Sequence, residues 1–297
     1  MSLVSLVRIK GSSLEQALLH SLNLINYKLP KGIQNVAIKP NMCYYWDYST
    51  GQTTDPQFIA ALVNMIRDKI SPDVNISIVE SDASAMKCKY AFRMLGYEKL
   101  AEDYGLTLVN LSDDESENLD VRVEDELFNF KIPLTIKNAD LKINVTKIKY
   151  TLEPIRITCA LKNIFGCNPY RRKFKYHPKL GKTIVALNKI MMFDLCLLDG
   201  YIVSGVQPRK LGLLMASEDP VAFDAAASEI AGLNPKTIRY LKLAEKEGLG
   251  NIKFLPTGVP LVYFKDRYPR KGVKSKLMGR AYDLVLRLRL GKRLGLD

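Results

Sequence analysis

Apolar positions along the chain switch repeatedly between two periods. Leu3 to Ile9 is a short apolar run and predicts a strand. From Ser12 to Leu24 the period turns helical. Leu14, Ala17, Leu18 and Leu22 share one face, with Ser12 or Ser13 as the N-cap. Val36-Ala37-Ile38 predicts a buried strand that ends in Lys39-Pro40-Asn41. A helix then starts at Thr54-Asp55-Pro56. Asp55 is its N-cap, Pro56 takes the first helical position, and Phe58, Ile59, Leu62, Val63 and Ile66 point inward. Val74 to Val79 predicts a strand closing at Glu80-Ser81-Asp82, followed by a helix around Lys87 to Leu95 and a strand from Leu106 to Leu111.

Asp113 to Asp125 is acidic without helical periodicity and predicts a surface loop or the entry to a hairpin. Leu141 to Val145 predicts a strand delivering Lys147 and Lys149 at its carboxyl end. Leu195 to Leu198 predicts another, ending in Asp199-Gly200. Leu213 to Ala216 leads into Ser217-Glu218-Asp219-Pro220 and a helix from Val221 to Ala231. A further helix is predicted from about Pro235 to Glu247. Strands alternating with helices imply βαβ units. The expected fold is therefore α/β: a mainly parallel sheet of the doubly wound type with flanking helices, as one large domain or two closely packed lobes.

Composition keeps the chain in the globular class: 297 residues, 47% hydrophobic and 25% charged. No apolar run approaches the ~20 residues that span a bilayer. The first ten residues lack a charged region followed by a long apolar core, so a cytoplasmic location is expected. The net charge of +13 changes the picture at one end only. From Lys265 to Asp297 there are 11 Lys/Arg and three Asp, so this segment carries +8. That divides the chain into an α/β part, 1–264, and a basic tail, 265–297. Val273, Leu277, Ala281, Leu284, Val285 and Leu288 recur there at helical spacing. A basic amphipathic helix can pack on the body, lie on an anionic membrane surface, or dock on nucleic acid or an acidic partner.

The five cysteines, Cys43, Cys88, Cys159, Cys167 and Cys196, contain no C-x-x-C pair, so no iron–sulfur cluster is expected and free thiols are the simplest reading. There is no G-x-G-x-x-G, no P-loop and no Gly-x-Ser-x-Gly elbow. No spacing demands a metal. Asp199, Asp219, Asp224 and Glu80 are oxygen donors of the kind a magnesium ion takes.

The chemistry concentrates at predicted strand ends, where open α/β sheets bind ligands. Lys162 lies inside Ala160-Leu161-Lys162-Asn163-Ile164-Phe165-Gly166, an apolar frame. An ammonium placed there needs an anion or several acceptors beside it. Lys39, Asn41, Lys147, Lys149 and Asn163 are the accompanying candidates for ligand binding. His177 follows in the basic stretch Tyr170-Arg171-Arg172-Lys173-Phe174-Lys175-Tyr176-His177. It is either a general acid/base or a surface histidine. Asp219-Pro220 and Asp55-Pro56 read first as helix starts, and Asp199-Gly200 as a turn.

Ile38-Lys39-Pro40-Asn41, Thr53-Thr54-Asp55-Pro56, Asn144-x-x-Lys147-x-Lys149, Ala160 to Gly166, His177, Asp199-Gly200 and Ser217-x-Asp219-Pro220-Val221-Ala222-x-Asp224 occur in one order. Together they resemble the family called domain of unknown function 362, from about Val36 to Gly250. Many members of that family carry an added ferredoxin-like domain, and this chain has no such cysteine runs. It also has Thr151 where the family element Lys-x-Lys-Thr-His has histidine. Gly205-Val206-Gln207-Pro208 stands for Gly-Asn-Gly-Pro. The resemblance implies a fold distantly similar to the catalytic lobe of nickel-pincer lactate racemases, without the histidine pattern linked to their cofactor.

Two functions are expected from these residues. One is an enzyme on an anionic carboxylate or phosphate, in which lysines hold developing negative charge, Asn41 and Asn163 orient the ligand, and His177 or Lys162 moves protons. The other is a non-catalytic binding or scaffold protein whose tail meets a membrane surface, nucleic acid or an acidic partner.

Overall fold

The computed structural model describes residues 1–9 and 13–270. The predicted basic helix lies outside them from Lys271 onward. The main sheet has eight strands: β1 (Ser2–Arg8), β2 (Asn35–Lys39), β3 (Asn75–Glu80), β4 (Thr107–Asn110), β7 (Leu141–Thr146), β10 (Leu195–Val203), β11 (Arg209–Ser217) and β12 (Phe254–Gly258). Their order is β12-β1-β11-β10-β7-β2-β3-β4. Strands β10, β7, β2, β3 and β4 are all parallel. Only β11 runs against its neighbours, because it returns from β10 through a short connection that a parallel strand cannot use.

Helices cover both faces, as near-continuous apolar strands require. One face packs on α1 (Leu14–Leu24), α2 (Pro56–Lys69), α3 (Cys88–Met94) and α4 (Tyr97–Tyr104), through Val36, Ile38, Ile76, Ile78, Ile143 and Val145. The other face carries Ala37, Val79, Cys196, Leu198, Leu213 and Met215. It is covered by α6 (Ala160–Asn163), α7 (Leu180–Ile190), α8 (Pro220–Ile230) and α9 (Arg239–Lys246). The predicted caps form. Ser13 accepts from the N–H of Gln16, and Asp55 from that of Gln57. Asp219 accepts from those of Val221 and Ala222, with Pro56 and Pro220 in the first turns.

Two expectations change and a third is decided. Of the loop and hairpin readings of the acidic stretch 113–125 the hairpin holds: β5 (Ser116–Val123) pairs with β6 (Glu126–Pro133), with the turn at Glu124, whose φ is +53°. Val121, Val123, Phe130 and Ile132 face the core, so a period of two was present beneath the charges. β10 does not stop at Asp199-Gly200. It continues to Val203 across a register shift between Gly200 and Ile202, because β11 keeps pairing beyond Asp199. The predicted 235–247 helix divides into a 3₁₀ turn, Pro235–Thr237, and α9. The remaining elements are the two-residue pair β8 (Lys149–Tyr150) and β9 (Ile157–Thr158), with α5 (Leu134–Lys137) and α10 (Leu261–Lys265).

Candidate functional site: a lysine-lined cleft at the strand ends

The parallel strands β2, β3 and β7 point their carboxyl ends at one edge of the sheet. A cavity of about 540 Å³ opens there. It is lined by Lys39 and Asn41 after β2, Glu80 and Ser81 after β3, Lys149 after β7, Lys162 and Asn163 on α6, and Lys173 and His177 from the following 3₁₀ segment. Of the candidates read from the sequence, Lys39, Asn41, Lys149, Lys162, Asn163 and His177 share this cleft.

Lys147 does not line it. Its ammonium donates to Asp199 Oδ2 at 3.0 Å, with both side chains of that pair buried, and to the Ile202 carbonyl at 2.9 Å. Asp199 also accepts from the Asp55 N–H at 2.9 Å, which ties the start of α2 to β10. Strand alternation would set positions 147 and 149 on one face, but β7 ends at Thr146 and the chain turns before β8, which separates the two lysines. Lys147 turns to Asp199 and Lys149 to the cleft.

The cleft is held by amides. Asn163 sits at its centre: Nδ2 donates to Asn144 Oδ1 at 2.8 Å, and Oδ1 accepts from Asn41 Nδ2 at 2.8 Å. Asn144 Nδ2 in turn donates to the Ala160 carbonyl at 2.9 Å. Asn41 Oδ1 accepts from Lys149 Nζ at 2.7 Å, and Lys149 also donates to the Gln52 carbonyl at 2.9 Å. The chain Lys149–Asn41–Asn163–Asn144 thereby locks α6 against the ends of β2 and β7. Each amide is engaged at both its oxygen and its nitrogen, so its orientation is determined.

Asp224 completes that anchorage. Asp219 caps α8, and one turn further Asp224 accepts from the N–H groups of Ala160 at 2.6 Å and Leu161 at 3.3 Å, at the start of α6. Tyr240 OH donates to it at 3.2 Å. Burial pushes the Asp224 carboxyl up to about 7, against the pull of these donors. The Asp-Pro-Val-Ala-x-Asp spacing is thus two helix starts in one motif.

The floor holds a compact ion pair. Lys39 Nζ meets Glu80 Oε2 at 2.7 Å, both nearly inaccessible, and Glu80 Oε1 accepts from the Ser81 N–H at 2.9 Å. Gly166 passes over this pair so closely that a Cβ would stand 2.9 Å from Glu80 Oε1 and from Lys39 Cε. A side chain there would push the pair apart, and this accounts for the glycine in Phe165-Gly166. Lys173 is buried beside the pair. It donates to Ser81 Oγ, which reaches the Gly166 and Asn168 carbonyls.

Three cations remain without a carboxylate. Lys149 bonds only neutral acceptors and Lys173 a hydroxyl, and Lys162 makes no hydrogen bond or ion pair among the described residues. Burial lowers Lys149 to about 8, with Lys162 and Lys147 adding repulsion. Burial lowers Lys173 to about 8 as well, against the attraction of Glu80 and with repulsion from Lys39. Lys162 is lowered by burial. His177 is lowered first by burial and then by the charge of Lys162, so its imidazole is neutral at pH 7. Cys43 also lines the cleft.

Cys43 and Gln52 carry no signal in the sequence that marks them as site residues; Glu80 is legible there only as a magnesium-type oxygen donor, and Lys173 only as one of the cations Arg171, Arg172, Lys173 and Lys175 able to clamp an anion. Glu80-Ser81 was visible as a strand-end cluster. Lys173 was one of four cations in a basic stretch, where only packing distinguishes a buried lysine from exposed Arg172. The four carboxylates with magnesium-compatible oxygens do not converge. Glu80 faces Lys39, Asp199 faces Lys147, Asp219 caps α8 and Asp224 holds α6. Among the described residues no group of three or more His, Cys, Asp or Glu is arranged to hold a metal.

The fold and the cleft define an α/β protein of mostly parallel sheet, with a lysine- and asparagine-lined cavity at the carboxyl edge of its strands. The chain belongs to the family described as Domain of unknown function (DUF362), whose match covers residues 36–229. It is 31% identical over 152 residues to the thylakoid-associated protein sll1697 of Synechocystis sp.; that stretch is 47% of this chain and 46% of that protein, so the match spans about half the length of the curated relative. In three dimensions the chain is similar to the lactate racemase apoprotein from Thermoanaerobacterium thermosaccharolyticum. The TM-score is 0.52 at 13% identity, over 78% of this chain and 58% of that one, a likeness of fold alone. No helix among the described residues is long and apolar enough to cross a membrane.

Proposed function

We propose that the cleft binds an anionic small molecule through a carboxylate or phosphate group, and that the protein is an enzyme acting on it. One observation carries this reading: Lys149, Lys162 and Lys173 face one cavity, and among the described residues none of the three is in an ion pair. Charges held out of water without a partner are unfavourable, and an anionic ligand supplies what the chain leaves out. Lys149 and Lys162 would hold the anion, and Asn41 and Asn163 would keep them in place. Lys39, paired with Glu80, would hold the floor of the cleft in shape beneath them. A neutral His177 beside a lysine of lowered affinity for protons forms an acid/base pair suited to pH 7.

The test is thermal unfolding of wild type and Lys162→Ala with inorganic phosphate and short carboxylates. Wild type is expected to gain several degrees at saturating anion, and Lys162→Ala to lose most of that gain. An unfolding temperature of wild type that ignores every anion removes the proposal.

A second reading keeps the cleft for binding without turnover and places the protein at a membrane surface through the basic segment Lys265–Asp297. The thylakoid association in the name of the cyanobacterial relative supports it. Flotation with phosphatidylglycerol vesicles, lost on deleting 271–297, is the expected result. Equal flotation of both forms counts against it.

A further inference from the structure

Depth in the cleft does not follow polarity. At its floor several polar side chains are covered: Lys39, Asn41, Lys149, Asn163 and Lys173 are each at most 8% exposed. Nearer the mouth several apolar side chains are open. Leu152, Phe165, Phe174 and Leu180 are half-buried along the walls, and Tyr44 is 48% exposed. Tyr44 lies against Trp46, ring centroids 5.5 Å apart, and Trp46 is itself exposed, so the apolar surface continues outward from the cavity.

A site for a small hydrated anion has no use for such walls. Apolar surface facing a water-filled cavity is unfavourable, and covering it recovers the hydrophobic free energy. The size agrees. About 540 Å³ lies within the range of roughly 300–1,000 Å³ typical of sites for drug-sized ligands. A bare phosphate or acetate would leave most of it empty.

We infer that the ligand is an amphipathic anion: a carboxylate or phosphate head against Lys149 and Lys162, and an apolar body along Leu152, Phe165, Phe174 and Leu180. The inference rests on the anion-binding reading above and narrows its ligand class.

Titration calorimetry on the full chain tests it. The probes are acetate, butanoate, hexanoate, octanoate and decanoate, with inorganic phosphate, butyl phosphate and octyl phosphate, all below their micelle concentrations. Each added methylene is expected to tighten binding about three- to fourfold until the cavity is filled. Leu152→Asn and Phe174→Ala are expected to flatten the series. Lys162→Ala is expected to weaken every member by the same factor. If acetate and phosphate bind with no dependence on chain length, the amphipathic ligand is ruled out and the anion site stands. If no probe binds, both readings fall. Binding to phosphatidylglycerol vesicles without binding to the soluble series assigns the apolar walls to a membrane and also overturns the inference.

Discussion

Lys147 and Lys149 stand two positions apart just beyond β7, both buried, and they meet opposite surroundings. Lys147 enters a pocket already furnished with Asp199 and a carbonyl, a closed arrangement that joins β7, β10 and the start of α2. Lys149 enters a cavity where its acceptors are an amide and a carbonyl, and where Lys162 adds a second positive charge. The first region satisfies itself and the second does not. A buried cation with a buried carboxylate is architecture. Buried cations without one, around an open cavity, are a place for something that is not part of the chain.

The largest effect should come from breaking the closed region. Lys147→Met leaves Asp199 charged and uncompensated in the interior and is expected to cost about 3–5 kcal/mol in urea unfolding. Lys149→Met removes a charge that burial already disfavours, and should leave stability within about 1 kcal/mol of wild type. It should nevertheless abolish anion binding. Equal destabilisation by the two substitutions would break the distinction.

The pH dependence sharpens it further. With Lys149 and Lys173 at about 8, the folded chain binds fewer protons than the unfolded chain between pH 8 and the ordinary lysine value of roughly 10.4. The cost of burying these charges is full below pH 8 and disappears as pH rises through that window, so ligand-free stability should rise there. Anion affinity should fall across the same window, because the ligand needs the protonated forms. Lys149→Met should flatten both curves, and a wild-type affinity unchanged from pH 7 to pH 10 would separate binding from these lysines.

Asp224 responds at lower pH and with the opposite sign. Its carboxyl is raised to about 7, so between roughly pH 4 and 7 the folded chain holds a proton that the unfolded chain has released. Its contribution to stability should therefore decline as pH rises through that range. Asp224→Asn should remove this slope in unfolding measured from pH 4 to 7. The smallest effect belongs to the surface. Lys99→Ala, which breaks an exposed pair with Asp103 on α4, should produce no resolvable change in unfolding.

Legibility in the sequence followed locality. Asp55-Pro56 and Asp219-Pro220 could be read as helix starts because a cap involves residues two or three apart. The strand-end positions of Lys39, Glu80 and Lys149 followed from the apolar runs before them. The hairpin of β5 and β6 was obscured because acidic and amide residues on its outer face outweighed Val121, Val123, Phe130 and Ile132 on the inner one. Asp199-Gly200 has turn composition, yet β11 pairs with both residues and resumes at Ile202 after a register shift, and Asp199 gains Lys147. A dipeptide preference of that kind is weak beside a continuous ladder and a buried ion pair.

By itself the sequence determined the alternation of strands and helices, the caps, the family, and the gathering of cations at the carboxyl ends of strands, since each depends on neighbours along the chain. Only the tertiary structure decided which cations were neutralised. Glu80 is 41 positions from Lys39, Asp199 is 52 from Lys147, and Asn41 is 108 from Lys149. Whether a buried lysine meets a carboxylate or an open cavity depends on contacts over such separations, which no local pattern encodes. The difference between architecture and site therefore emerges only when the sheet is assembled.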